Sequence, residues 1–232
     1  MTASTPLVLH QGRSLILRRT LPEDAPLLFE QMYNNPEFMR LFRLNDRVET
    51  QAQLTERLTR DLKIDPAKSR YLELLMIHQT QGPIGMVSLV AYSSLHRRAE
   101  LLLGLFNDVH RGHIYGPEGS LLVTDLAFNQ YNLHRLYAYV YQYNQAPQKI
   151  LPAVGFTLEG VLREHIFDLT SQTFVDLHLY GMTLTEFREN KLIARLSKRF
   201  VGRDITQPPP IATQAKSEKP VFVQSGQIKL RN

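Results

Sequence analysis

Apolar residues along this chain fall into short blocks, some alternating and some recurring every three or four positions, the signature of strands interleaved with helices. Residues 1–13 read as a loose lead-in, and residues 14–20, centred on Leu15-Ile16-Leu17, as a first strand. Pro22, Glu23 and Asp24 open a helix, because proline fits the first turn and acids meet the positive end of the dipole there. Leu27, Leu28 and Met32 give that helix one buried face, and Asn34-Asn35-Pro36 stops it and starts a short second one. Thr50 stands where a third helix needs its cap, with Leu54, Leu58 and Leu62 following at steps of four and Asp65-Pro66 closing it. Residues 71–78 and 84–92 read as two strands of a hairpin that turns at Gln81-Gly82-Pro83.

The fullest apolar run is Glu100-Leu101-Leu102-Leu103-Gly104-Leu105-Phe106, short enough to be a buried strand. A loop with several glycines follows, from Val109 to Gly119, and then Leu121, Leu122, Val123, Leu126, Ala127 and Tyr131 recur at helical spacing. Pro117 is expected at the first helical position, so the loop hands its unpaired amides to a helix start that attracts anions, phosphates above all. Taken alone, the same stretch reads equally as a tight turn. Residues 135–143 alternate, with Tyr137, Tyr139, Tyr141 and Tyr143 on one face; packing beneath helices outweighs base stacking as their expected role. A short helix over residues 145–154 tolerates Pro147 near its start, and residues 156–169 and 174–182 form a last hairpin. Thr183 and Glu186 have the spacing of a capping box and open a helix carrying Phe187, Ile193, Leu196 and Phe200 on one side and basic residues around the rest. Gln207-Pro208-Pro209-Pro210 then reads as an extended linker.

Composition narrows the chemistry. With no cysteine, thiolate catalysis, thiolate metal sites and disulfides are excluded. The histidines show no metal-binding spacing, so no metal is expected. No apolar run approaches the roughly 20 residues of a membrane span, and a cytoplasmic location is expected. The net charge of +5 is uneven: residues 1–187 carry 17 Lys/Arg against 19 Asp/Glu, and residues 188–232 carry 10 against 3. The basic character therefore belongs to the C-terminal end.

Read in order, several stretches resemble one family. Arg111-Gly112-His113-Ile114-Tyr115-Gly116-Pro117-Glu118-Gly119 is similar to the acetyl-CoA loop of the GNAT superfamily of N-acetyltransferases, whose pattern is Arg or Gln, two residues, Gly, one residue, then Gly or Ala. His96-Arg97-Arg98-Ala99-Glu100 resembles the start of the fourth strand in spermidine acetyltransferases and in the acetyltransferases of ribosomal-protein N-termini. Asn132-Leu133-His134-Arg135-Leu136-Tyr137, then Asn144, then Val154-Gly155-Phe156-Thr157-Leu158-Glu159-Gly160-Val161-Leu162-Arg163 resemble the fifth strand, the family asparagine and the passage into the sixth. The resemblance implies an α/β GNAT fold over residues 14–187, a mixed, mostly antiparallel central sheet with helices on both faces. Residues 188–232 are expected as a basic helix and a flexible tail.

It also implies a chemistry. Acetyl transfer from a thioester to an amine needs a cradle for the pyrophosphate, a donor for the thioester oxygen and a base that leaves the amine neutral. By resemblance, Gly112 to Gly116, including Ile114 and Tyr115, hold the pyrophosphate of acetyl-CoA, with Arg111 and His113 adding charge or hydrogen bonds. Leu105 and Phe106 pair with the pantetheine, and Asn144 binds the cofactor arm. Glu100 is the candidate base, sharing a strand face with Leu102, Gly104 and Phe106; the competing reading is a surface ion pair with Arg97 or Arg98. Three positions depart from the family. Ile114 replaces the loop's first glycine, where a β-branched residue resists positive φ, and Leu151 and Pro147 stand where the family places its proton donors. The first functional reading is therefore an acetyl-CoA-dependent N-acetyltransferase acting on a primary amine, a protein or peptide N-terminus ahead of a polyamine. The second is a catalytically weakened GNAT-fold binding module, docked to a protein complex or other anionic partner through its basic C-terminal extension.

Overall fold

The computed structural model describes residues 8–44, 50–64, 71–111 and 114–208. Eight strands form one sheet: β1 Val8–Gln11, β2 Leu15–Arg19, β3 Leu72–His78, β4 Gly82–Ser93, β5 Arg98–Leu105, β6 Arg135–Tyr141, β7 Thr157–Asp168 and β8 Thr173–Thr183. Their order across the sheet is β1-β2-β3-β4-β5-β6-β8-β7. Every neighbouring pair is antiparallel except β5 and β6, which run parallel. A parallel pair needs a crossover, and α4 Tyr115–Asp125, extended by a π turn at Leu126–Gln130, supplies it.

Helices cover both faces. On one lie α1 Ala25–Leu28, α2 Pro36–Phe42 and α3 Gln51–Leu62, burying Leu28, Phe38, Phe42, Leu54 and Leu58 against Leu75, Met86 and Phe106. The Thr50 hydroxyl accepts the Gln53 amide (3.3 Å) while the Gln53 side chain accepts the Thr50 amide (2.9 Å), a complete capping box. Leu62, expected on the buried stripe, is 38% exposed because α3 ends there. Asp65-Pro66 lies outside the described residues. On the opposite face α4 and α5 Gln145–Ala153 pack Leu121, Leu122, Val123 and Leu151 onto Leu15, Leu74, Leu101 and Leu136.

Four expectations change. The lead-in contains strand β1, too short to show a period, paired with β2 across a bulge. The helix after the glycine loop starts at Tyr115, so Pro117 is its third residue, still in the first turn where a missing N–H costs little. The strand of alternating tyrosines, expected over residues 135–143, ends at Tyr141, with Leu136, Ala138 and Val140 in the main core and Tyr141 and Tyr143 bonding the backbone in and after α2. The basic C-terminal helix is two helices, α6 Leu184–Glu189 and α7 Lys191–Phe200, because Asn190 leaves helical geometry and its side chain accepts the Ile193 amide (2.9 Å). The break lets Phe187, Ile193, Phe200 and Ile205 all reach the main core. Buried Asp125 on α4 anchors this end of the chain, bonding His10 (2.6 Å), Asn129 (2.6 Å) and Arg203. Residues 209–232 lie outside the described residues.

Candidate active site

One strand pair does not close. β5 pairs with β4 from Ser93↔Arg98 to Gly85↔Leu105, but with β6 only at Arg98↔Arg135, Ala99↔Leu136 and Glu100↔Tyr137. Beyond that point β6 continues to pair with β8 as far as Tyr141↔Leu177 but no longer pairs with β5. The sheet forks, and the edges of residues 101–105 and 138–140 face a cleft instead of each other. Unpaired strand edges carry backbone donors and acceptors that an extended ligand can satisfy.

The cleft is lined by Leu101 to Leu105 and by Ala138, Tyr139 and Val140. Phe38, Leu41 and Phe42 of α2 cover one mouth, and Arg111, Gly116 and Ser120 lie at the start of α4. Asn144, Pro147, Ile150 and Leu151 come from the start and inner face of α5. Gly104 is needed for this wall, since a Cβ there would lie 2.6 Å from the Phe38 ring. The amide of Gly116, in the first turn of α4, has no acceptor within the helix, so it and the helix dipole favour an anion at that end. The Tyr115 ring packs edge-on against His78 and His110, fixing the start of α4 to the β3–β4 turn.

Glu100 is the last residue of β5 paired with β6 and is half-buried at the apex of the fork. Burial pushes its carboxyl up to about 6, with nearby Arg43 pulling the other way. Such a carboxylate can accept a proton at neutral pH and release it again. The surface ion-pair reading fails: Arg97 bonds Asn132 (2.7 Å) and Arg98 lies over the Tyr137 ring. Burial, then the Glu100 charge, push the Tyr137 hydroxyl up. Tyr137 packs edge-on against Tyr139, and the Tyr143 hydroxyl donates to the Arg40 carbonyl (2.9 Å).

Comparison with known proteins matches this geometry to a family. Residues 14–157 match the acetyltransferase (GNAT) domain family. The chain belongs to the GNAT acetyltransferases. It is 26% identical over 168 residues to an uncharacterized N-acetyltransferase, YoaA, of Bacillus subtilis (strain 168), covering 72% of this chain and 92% of that one. It is 31% identical over 83 residues to the spermidine N(1)-acetyltransferase of Escherichia coli (strain K12), covering 36% of this chain and 44% of the relative. The spermidine N-acetyltransferase of Vibrio cholerae, solved with CoA and spermine, superposes with a TM-score of 0.64 at 21% identity, covering 75% of this chain and 97% of that one.

As a GNAT acetyltransferase the chain is an acetyl-CoA-dependent N-acetyltransferase, and the cleft fits that cosubstrate: a free strand edge for the amides of pantetheine and a helix start for pyrophosphate. Leu105, Arg111, Gly116 and Asn144 all line it. Arg111 is partly neutralised by Asp108 (2.6 Å) and Glu37 (3.7 Å). Asn144 uses its side-chain amide on the Leu41 carbonyl (3.3 Å), tying α5 to α2. Phe106 is a correction: it is buried against Phe38 and its amide donates to the Ile84 carbonyl (2.9 Å), so it offers the cleft nothing. Tyr115 also stays outside the cleft lining. Ile114 adopts φ −70°, so no positive φ is required of it, and its side chain is 41% exposed. Gly112 and His113 lie outside the described residues. Among the described residues no cluster suited to a metal ion occurs, and no helix is long and apolar enough to cross a membrane.

Sequence reasoning missed Tyr139, which it left among packing aromatics, and the aromatic lid Phe38 and Phe42. It also missed Glu118, fully buried on α4, whose Oε1 accepts the amides of Ser14 (2.7 Å) and Leu15 (3.0 Å) and locks the β1–β2 turn to the cofactor helix. The signal for Tyr139 was present in the alternation of β6, but which face stays open depends on the fork.

Proposed function

We propose that this acetyltransferase acts on one primary amine at a time, a protein or peptide N-terminus in preference to a polyamine, with Glu100 as the base and the α4 start from Arg111 to Gly116 as the pyrophosphate cradle. The observation that carries the acceptor choice is the lining of the cleft, which includes the cation Arg111 and no carboxylate among the described residues. A polyamine brings one or two further ammonium groups, whose desolvation carboxylates offset best. Apart from Glu100, two carboxylates near the cleft are engaged by arginines, Glu37 with Arg111 and Asp168 with Arg40. Glu100 then serves a single nitrogen, taking its proton so that the lone pair reaches the thioester. The test is acetyl transfer from acetyl-CoA to a set of short peptides with free N-termini beside spermidine and spermine. The reading expects kcat/KM at least tenfold higher for the best peptide; a higher value for spermidine would overturn it.

A further inference from the structure

We propose that the Tyr139 hydroxyl is a catalytic acid of the transfer, giving its proton to the sulfur of the departing coenzyme A. The inference rests on acetyl transfer in this cleft and is independent of which amine is the acceptor. Leu151 and Pro147 line the cleft and carry no proton donor, so neither can protonate the leaving sulfur. Of the lining residues only Ser120 and Tyr139 carry a hydroxyl. Ser120 sits on α4 one turn from Gly116, at the cradle end, and is 4% exposed. Tyr139 stands on β6 two residues beyond Tyr137, the last position paired with β5, about 7 Å along the strand.

Alternation places Tyr139 on the same face as Tyr137, with ring centroids 5.6 Å apart, and Tyr137 is the register partner of Glu100. Glu100 and Tyr139 thus stand on one face of the sheet, on opposite arms of the fork. A pantetheine arm strung along the free edge of β5 from the α4 start brings its thioester to the apex between them. Glu100 takes a proton from the ammonium, the nitrogen lone pair attacks the carbonyl carbon and the C–N bond forms. The adduct sheds its second proton to water, the C–S bond breaks with its electron pair passing to sulfur, and sulfur takes the Tyr139 proton. Tyr139 is 37% exposed, so water restores the phenol. One amide, one thiol and one proton leave for each thioester and ammonium consumed.

Tyr139→Phe keeps the ring and removes only the hydroxyl. With the full chain and a saturating amine, thiol release should show kcat reduced by about 10- to 100-fold. The KM for acetyl-CoA and the Kd for CoA should stay within twofold of wild type. Adding Leu151→Tyr to Tyr139→Phe returns a phenol to the cleft from α5 and should recover at least fivefold of the loss. A kcat within twofold of wild type, or a loss matched by weaker CoA binding, would overturn the role. Wild type that transfers acetyl to no amine would sink the transfer reading itself, whereas active wild type with an unimpaired Tyr139→Phe would remove Tyr139 alone.

Discussion

The two edges of β5 show what this sheet is for. Against β4 the strand pairs along its length, with Gly85 opposite Leu105; against β6 it pairs at three positions and then parts. The same residues, Leu101 to Leu105, are thus part of a closed seam on one side and the wall of a cleft on the other. A fully paired sheet would satisfy more backbone groups, so the open edge is stability forgone. We propose that the cosubstrate takes the place of the missing strand, and on that proposal the two edges should respond to substitution in opposite ways.

The largest effect belongs to the open side. Glu100→Gln removes the proton acceptor at the apex, and kcat should fall about 100-fold or more. In wild type kcat/KM should decline below about pH 6, where the carboxyl is protonated, and that acid limb should vanish in the variant; a limb that persists would assign the base elsewhere. Next comes the closed seam. A Cβ on Gly85 would stand 2.4 Å from the Gly104 carbonyl oxygen, backbone that cannot give way. Gly85→Ala should cost about 1–3 kcal/mol in denaturant unfolding, while the fraction still folded transfers acetyl at close to the wild-type rate. The smallest effect runs against the first. Because burial raises the Glu100 pKa from 4.5 to about 6, the folded state binds more protons than the unfolded chain between those values, and stability falls as pH rises through that window. Glu100→Gln escapes this loss and should be more stable than wild type at pH 7, by on the order of 1 kcal/mol. An inactive but stabilised variant would separate catalysis from folding at one residue; a destabilised one would show that Glu100 is held by contacts made as an ion.

Much of this contrast was legible in the chain, and the rest was hidden for physical reasons. Strands β2 to β8 and the glycine-bearing start of α4 follow from periodicity and turn chemistry, which act over a few residues. The caps at Thr50 and Thr183 are read the same way and form as expected. Glu100, Arg111, Gly116 and Asn144 could be named because each belongs to a local motif. The fork could not, since nothing in Leu101-Leu102-Leu103 tells a paired edge from a free one. Phe106 was misplaced for that reason: it continues the apolar run of β5, but its amide is taken by Ile84. The concern over Ile114 assumed a positive φ, and the backbone there stays in the ordinary helical region. The separation of the C-terminal helix from the body was suggested by charge, yet Phe187, Ile193 and Phe200 bury its apolar side in the main core.

The most direct test of the open edge is a calorimetric titration of the full chain with acetyl-CoA, with Gly116→Glu as its control. Gly116 lines the cleft at the second residue of α4, where a Cβ meets only the Ile150 side chain at 3.4 Å. A glutamate in a first helical turn suits the fold but places a negative charge against the pyrophosphate. Wild type should bind with micromolar affinity and the folded variant should show no measurable binding. Equal affinity in the two proteins, or no binding by folded wild type, would contradict the claim that the fork between β5 and β6 exists to hold this cosubstrate.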